Sequence, residues 1–222
     1  MQPFKNAAAV SGYAELTPRK VPGFADMQRM AMLLLSEQAP ANAEILVLGA
    51  GGGLELKAFA EAQPDWRLVG VDPAAAMLAL AARATAPFGE RVHLREGYIQ
   101  DAPEGPFNGA TCLLTMHFMG RAERLRTLRE LHRRLKPGAP LVVAHHTAPA
   151  VGERERWLLR STLFSMDTPA DPVRAAASAS ALAEALPLLT EAEEVAVLQE
   201  AGFHDVGLFY AAFSFRGWVA YA

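Results

Sequence analysis

The chain has 222 residues, 51% of them hydrophobic and 20% charged, which excludes a disordered chain and provides enough sequence for a full core without disulfide or metal staples. Lys and Arg number 21 against 24 Asp and Glu. The resulting net charge of −3 argues against a protein whose main task is gripping nucleic-acid phosphates.

From the N-terminus, Pro22–Gln38 reads as a helix, with Met27, Met30, Ala31, Leu34 and Leu35 on one apolar face. Ile45–Leu48 is a continuous apolar run suited to a strand buried on both faces. The glycine cluster Gly49–Gly53 follows, then a helix from Leu54 to about Gln63, stopped by Pro64. Arg67–Asp72 is a second strand, and Pro73 opens a helix running to about Ala86. Arg91–Arg95 alternates as a third strand, and Ala110–Met116 is a fourth. Arg121–Leu135 is an amphipathic helix ended by Lys136-Pro137-Gly138, and Pro140–Ala144 is a fifth strand. Two helices, Arg154–Phe164 and Val173–Leu186, then flank a joint with Pro169 and Pro172, and read as a helical insertion or lid. Thr190-Glu-Ala-Glu193 is a capping box for a helix ending at Ala201-Gly202. The tail, Asp205–Ala211 and Ser214–Ala222, is a pair of strands whose short connection requires antiparallel pairing.

This alternation of strands and helices predicts an α/β chain of a single domain, residues 1–222. The mostly parallel sheet has seven strands and an antiparallel strand at its C-terminal end. About 1–38 form an N-terminal cap region and about 150–187 the insertion. Cys112 is the lone cysteine, so neither an internal disulfide nor a cysteine zinc site is available. Met1–Val10 lacks the apolar core of a secretory signal, and no run reaches membrane-span length, so a reducing cytoplasm is the expected setting.

Glycines at the first strand-to-helix turn let a ligand approach the backbone where no Cβ blocks it, and N–H groups at the helix start supply donors. Asp72, ending the next strand, has the chemistry to accept both hydroxyls of a ribose. Two ligand classes share this layout. The dinucleotide pattern G-x-G-x-x-G places Leu54 at its third glycine and fails. G-x-G-x-G fits at Gly49, Gly51 and Gly53, as in S-adenosylmethionine (SAM) methyltransferases.

At these residues the chain resembles the class I SAM-dependent methyltransferases, whose fold is a Rossmann-like, doubly wound sheet. It is most similar to the carboxy-S-adenosylmethionine synthase branch. The resemblance runs from about Arg19 to the C-terminus. It is carried by Arg19-Lys-Val-Pro-Gly-Phe24, Leu48-Gly-Ala-Gly51, Val71-Asp-Pro-Ala-Ala-Ala-Met77 and Glu96-Gly-Tyr-Ile-Gln-Asp101, and continues through Leu114-Thr-Met-His-Phe118, Leu135-Lys-Pro-Gly138 and Phe209-Tyr-Ala-Ala-Phe-Ser-Phe215. It implies that Gly49, Ala50, Gly51 and Gly53 line the methionine part of SAM, and that Asp72, with Pro73 beside it and Met77 beyond, takes the ribose. Tyr98 and Ile99 would flank the adenine, Thr115 would lie near the amino-acid end, and Phe24 would close the site. S-adenosylhomocysteine (SAH) would be the product and a homodimer the assembly. The chain departs from the family at Tyr98, where a carboxylate is usual, at Phe24 and Thr115, where the synthase has Tyr and Asn, and at Val47, where many members have Asp. Between Ala175 and Thr190 it has no Lys, Arg or His to pair with the extra carboxylate a synthase makes; Arg160, Arg174 and Arg216 are the alternatives. A bacterial enzyme methylating a small molecule is therefore expected ahead of a carboxy-SAM synthase of tRNA wobble modification or a non-catalytic SAM-binding protein.

Methyl transfer needs a general base only where the acceptor has a proton to lose. His117, after the fourth strand, and His146, after the fifth, are the candidate catalytic groups; His145 points the other way. A metal on these three histidines is not expected. Trp157, Phe164, Phe209, Tyr210, Phe213 and Phe215 offer either an acceptor pocket or ordinary core aromatics. The run Arg121, Arg124, Arg126, Arg129, Arg133 and Arg134 reads as a solvated helix face, with an RNA-facing patch as the alternative.

Overall fold

A computed structural model describes residues 10, 12–150, 152–166 and 171–222. Met1–Ala9, most of the stretch read for a leader, and the Pro169 joint lie outside the described residues. Seven strands form one sheet of order β3-β2-β1-β4-β5-β7-β6. They are β1 (Glu44–Leu48), β2 (Arg67–Asp72), β3 (Val92–Glu96), β4 (Gly109–Leu113), β5 (Pro140–His146), β6 (His204–Ala212) and β7 (Phe215–Tyr221). The first five in that order pair in parallel, and β7 runs against both its neighbours. The doubly wound architecture thus matches the expectation. Strand order reverses between β1 and β4, the place where ligands enter such sheets at the carboxyl ends of the strands.

Helices cover both faces. On one side α2 (Phe24–Ser36) and α3 (Leu54–Ala62) bring Met27, Ala31, Leu35, Leu56 and Phe59 onto Ile45, Val47, Val142 and Ala144. Beside them, α4 (Ala75–Thr85) packs on α3. On the other side α5 (Arg121–Arg134) and α8 (Glu191–Glu200) bring Leu128, Leu131, Val197 and Leu198 onto Leu46, Leu48, Cys112, Leu141 and Val143. Odd and even residues of β5 therefore serve different faces, the period-two rule of a strand. The insertion forms α6 (Arg154–Ser165) and α7 (Pro172–Ala185), with its own small core of Leu158, Ala179, Ala183, Leu186 and Leu188.

Several boundaries move. A first helix, α1 (Tyr13–Lys20), has no buried residue, so no apolar stripe announces it. Gly23, left-handed at φ 61°, starts α2 two residues after Pro22. Pro73 precedes its helix, which Ala74 caps. β4 ends at Leu113 because Leu114 takes φ 56°, and Met116–Phe118 form a 3-10 turn. β5 extends through both histidines because β7 pairs with them, His145 opposite Arg216 and His146 opposite Phe215. The capping box is present: Thr190 N–H donates to Glu193 Oε2 at 2.8 Å, and Glu193 N–H donates to Thr190 Oγ1. Among the described residues, no helix is long and apolar enough to cross a membrane, and no group of three His, Cys, Asp or Glu side chains is placed to hold a metal.

Candidate active site

β1 delivers the chain into the turn Gly49–Gly53, where Gly49, Gly51 and Gly53 take φ of 76°, 51° and 80°. These left-handed values suit glycine, and two positions also lack room. A Cβ on Gly49 would run into Thr115 Oγ1, and one on Gly53 would meet Ala81 Cα at 2.7 Å. Asp72, at the end of β2, braces the turn: Gly51 N–H donates to its Oδ2 and Ala74 N–H to its Oδ1, each at 2.9 Å. Burial raises the Asp72 pKa, and these two hydrogen bonds oppose the rise.

Above the turn opens a cavity of about 740 Å³. Phe24, Gly49, Ala50, Gly51, Asp72, Pro73, Met77, Tyr98, Ile99, Thr115, His117 and His146 all line it. Gly53 does not; its missing Cβ lets the turn pack against α4. Tyr13 and Glu55 are among the lining residues not anticipated. Tyr13, on α1, lies against Gly51 and Gly52, and burial pushes its hydroxyl up to about 12. Glu55, buried in the first turn of α3, accepts from Thr111 Oγ1, and burial pushes it up to about 8 despite that bond. A carboxylate one step past the glycine turn is a signal the sequence does carry; Tyr13 has none, because α1 shows no helical pattern.

In the cavity lining His117 and His146 meet with ring centroids 5.2 Å apart. The His146 backbone N–H donates to His117 Nδ1 at 3.4 Å. The His146 ring stacks on Phe215 at 3.9 Å, and its Nδ1 pairs with Ser214 Oγ at 2.7 Å. Burial, then the neighbouring His145, lowers His146 to about 3. Burial also leads the lowering of His117, ahead of His146, His145 and Arg124, so both rings are neutral at neutral pH.

Residues 45–138 match a family described as a methyltransferase domain. The chain is 24% identical over 217 residues to the carboxy-S-adenosyl-L-methionine synthase of Campylobacter lari, covering 97% of this chain and 93% of that protein. It is 28% identical to the like-named protein of Geobacter metallireducens, covering 95% and 89%. Among solved structures, PigF with SAH superposes with a TM-score of 0.70 at 18% identity, covering 99% of this chain and 61% of PigF. Residues 45–138 thus match a methyltransferase domain, set within a Rossmann-like sheet.

Around this cavity, several expectations change. None of the described residues of the insertion lines the cavity, so α6 and α7 do not roof it; α1 and α2 do. Of the six candidate aromatics only Phe215 reaches it. Phe209 covers Gly217, Tyr210 donates to the Pro22 carbonyl, and Phe164 packs on Phe213. Trp157 lies under the Arg160 and Arg216 guanidinia. Nor is the arginine run uniformly solvated. Arg124 is fully buried, ion-paired to Glu194, and donates to the carbonyls of Met116 and Met119, which holds the turn bearing His117. Arg134 is buried against Glu130. Arg121 and Arg129 pair with Glu200 on α8 rather than along their own helix, Arg133 pairs with Glu104 and with Glu130 three residues before it, and Arg126 stands exposed among the residues lining the cavity.

Proposed function

We propose that this protein transfers a methyl group from SAM to a small-molecule acceptor. The supporting observation is one continuous cavity lined by the glycine turn and Asp72 and by His117, His146 and Phe215. Its volume accommodates a nucleoside and a second small molecule together, within the usual range of ligand pockets. The residues fit the cofactor: a Cβ-free backbone at Gly49 and Gly51, and a carboxylate whose two oxygens, each holding one N–H, retain lone pairs for ribose hydroxyls. Gly49, Ala50, Gly51 and Thr115 would hold the methionine portion, Asp72 with Pro73 and Met77 the ribose, Tyr98 and Ile99 the adenine, and Phe24 the closing wall. SAM, when bound, supplies an electrophilic methyl on a sulfonium; the acceptor's lone pair takes the methyl and the C–S pair stays on sulfur, leaving SAH. His117 and His146 would contact the acceptor. Calorimetry with SAM and SAH tests the reading, and no heat at millimolar ligand would remove it.

A second reading, carboxy-SAM synthesis, is favoured by the names of the curated relatives. Against it, the only Lys or Arg side chains lining the cavity among the described residues are Lys20 and Arg126, both exposed, and none comes from the insertion. A carboxylate enclosed without a cation is costly. Mass spectrometry of the nucleoside retained through purification separates the two. The reading also carries a cytoplasmic setting, no nucleic-acid partner and a homodimer, the last checked by light scattering.

A further inference from the structure

The chemistry around His117 and His146 follows from which ring nitrogens carry protons. His117 Nδ1 accepts the His146 backbone N–H, so the proton of its neutral ring sits on Nε2. The ring lines the cavity, so a ligand there can meet Nε2–H.

His146 is set by a longer chain of hydroxyls. Ser161, on α6, is 2.6 Å from Ser214 Oγ and already accepts the Ser214 backbone N–H. Both serines are buried. Among the described residues Ser214 Oγ is the one acceptor for the Ser161 hydroxyl proton, so Ser161 donates to Ser214, and Ser214 must then donate to His146 Nδ1. The opposite direction would strand a buried hydroxyl proton, an unfavourable arrangement. His146 Nε2 therefore also carries its proton, on a ring that likewise lines the cavity.

We propose that His117 and His146 form a pair of neutral N–H donors that hold an oxyanion of the acceptor, a carboxylate or phenolate, and that neither is a general base. The proposal rests on the methyltransferase reading and narrows it to a substrate class. An oxygen that arrives as an anion has no proton to surrender, so donors rather than a base are what the site requires. Its charge is offset by the two N–H groups and by the cationic sulfonium sharing the cavity. Ser161 and Ser214 are positioning residues acting through His146, which gives the insertion a part in the site without touching the ligand.

Two experiments on the full chain test this. In 15N-histidine NMR at neutral pH, His117 and His146 should both show Nε2–H with bare Nδ1, and Ser161→Ala should disturb the His146 tautomer but not that of His117. Nδ1–H on either ring of the parent would overturn the proposal. In calorimetry, benzoate should bind the SAM-loaded protein about tenfold more tightly than the SAH-loaded one, the scale of one charged interaction, and benzylamine should not bind. His117→Gln, which keeps a donor, should retain benzoate binding that His117→Leu loses. Binding of benzylamine in preference to benzoate would sink the proposal, as would a retained nucleoside carrying its own carboxylate, which would put the oxyanion on the cofactor. Failure of SAM itself to bind would instead remove the parent reading, while the NMR result still reports on the donors.

Discussion

At the end of β5, His145 faces α5 and α8 while His146 faces the cavity, and the two neighbours are held by different means. His145 sits with charges: its Nε2 is 3.0 Å from Glu194, which pairs with the buried Arg124. Burial pushes Glu194 up, but His145 and Arg124 outweigh it and hold its carboxyl low. His146 sits with neutral partners, Ser214, Phe215 and His117. One face therefore uses ionic contacts to fix a turn, and the other keeps its polar groups uncharged beside a ligand space. A charged cluster resists rearrangement because separating its members leaves bare ions. A neutral pair leaves its field free to be set by what binds.

The contrast can be broken from either side. The largest loss should come from Arg124→Met, which leaves Glu194 buried without its guanidinium and frees the Met116 and Met119 carbonyls. About 3–5 kcal/mol of stability should go, read by denaturant unfolding; a loss of about 0–1 kcal/mol would mean that this face behaves like an exposed pair. Acid should attack the cavity face next. His117 and His146 have folded-state pKa values below their ordinary 6.5, so the unfolded chain takes up protons first as pH falls. Stability should drop from about pH 6.5 downward, toward about 3 for His146, by up to about 1.4 kcal/mol per pH unit per histidine. Circular dichroism against pH checks this, and stability unchanged down to pH 5 would mean the rings are not held neutral.

Asp72→Ala should weaken SAM binding by about 1–3 kcal/mol through lost charged hydrogen bonds; equal affinity in calorimetry would remove its ribose role. A further pH-dependent effect is expected at Glu55, which ionises near pH 8 when folded and near 4.5 when not. Its contribution is full below pH 4.5 and lost as pH rises through 8. Glu55→Gln should thus gain on the parent by up to about 1.4 kcal/mol for each pH unit crossed in that window. Parallel melting curves at different pH would expose a constant difference if the carboxyl were already charged.

Sequence patterns reached the sheet, the glycine turn and Asp72 because each is local: an apolar run, a Cβ-free turn, a carboxylate at a strand end. The divergence of His145 and His146 was legible for the same reason, since adjacent strand residues point apart. Arg124 was misread because its partner Glu194 lies 70 residues on, and i, i+3 and i, i+4 spacing speaks only of neighbours on the same helix. Ser161 and Ser214 are 53 residues apart and join only when the insertion packs behind β7. Helix α1 escaped because it carries a Pro at position 18 and buries no residue that a periodic pattern would mark.

Gly49 has a wider bearing through its contact with Thr115. Because the turn there is made of main chain packed to its limit against Thr115, this part of the cleft offers selection little to vary. Phe118, Met119 and Phe215 line the same cavity with bulky side chains. Descendants of this scaffold should diversify their substrates by swapping those bulky groups while inheriting the donor pocket unchanged, and a directed-evolution library is best concentrated there.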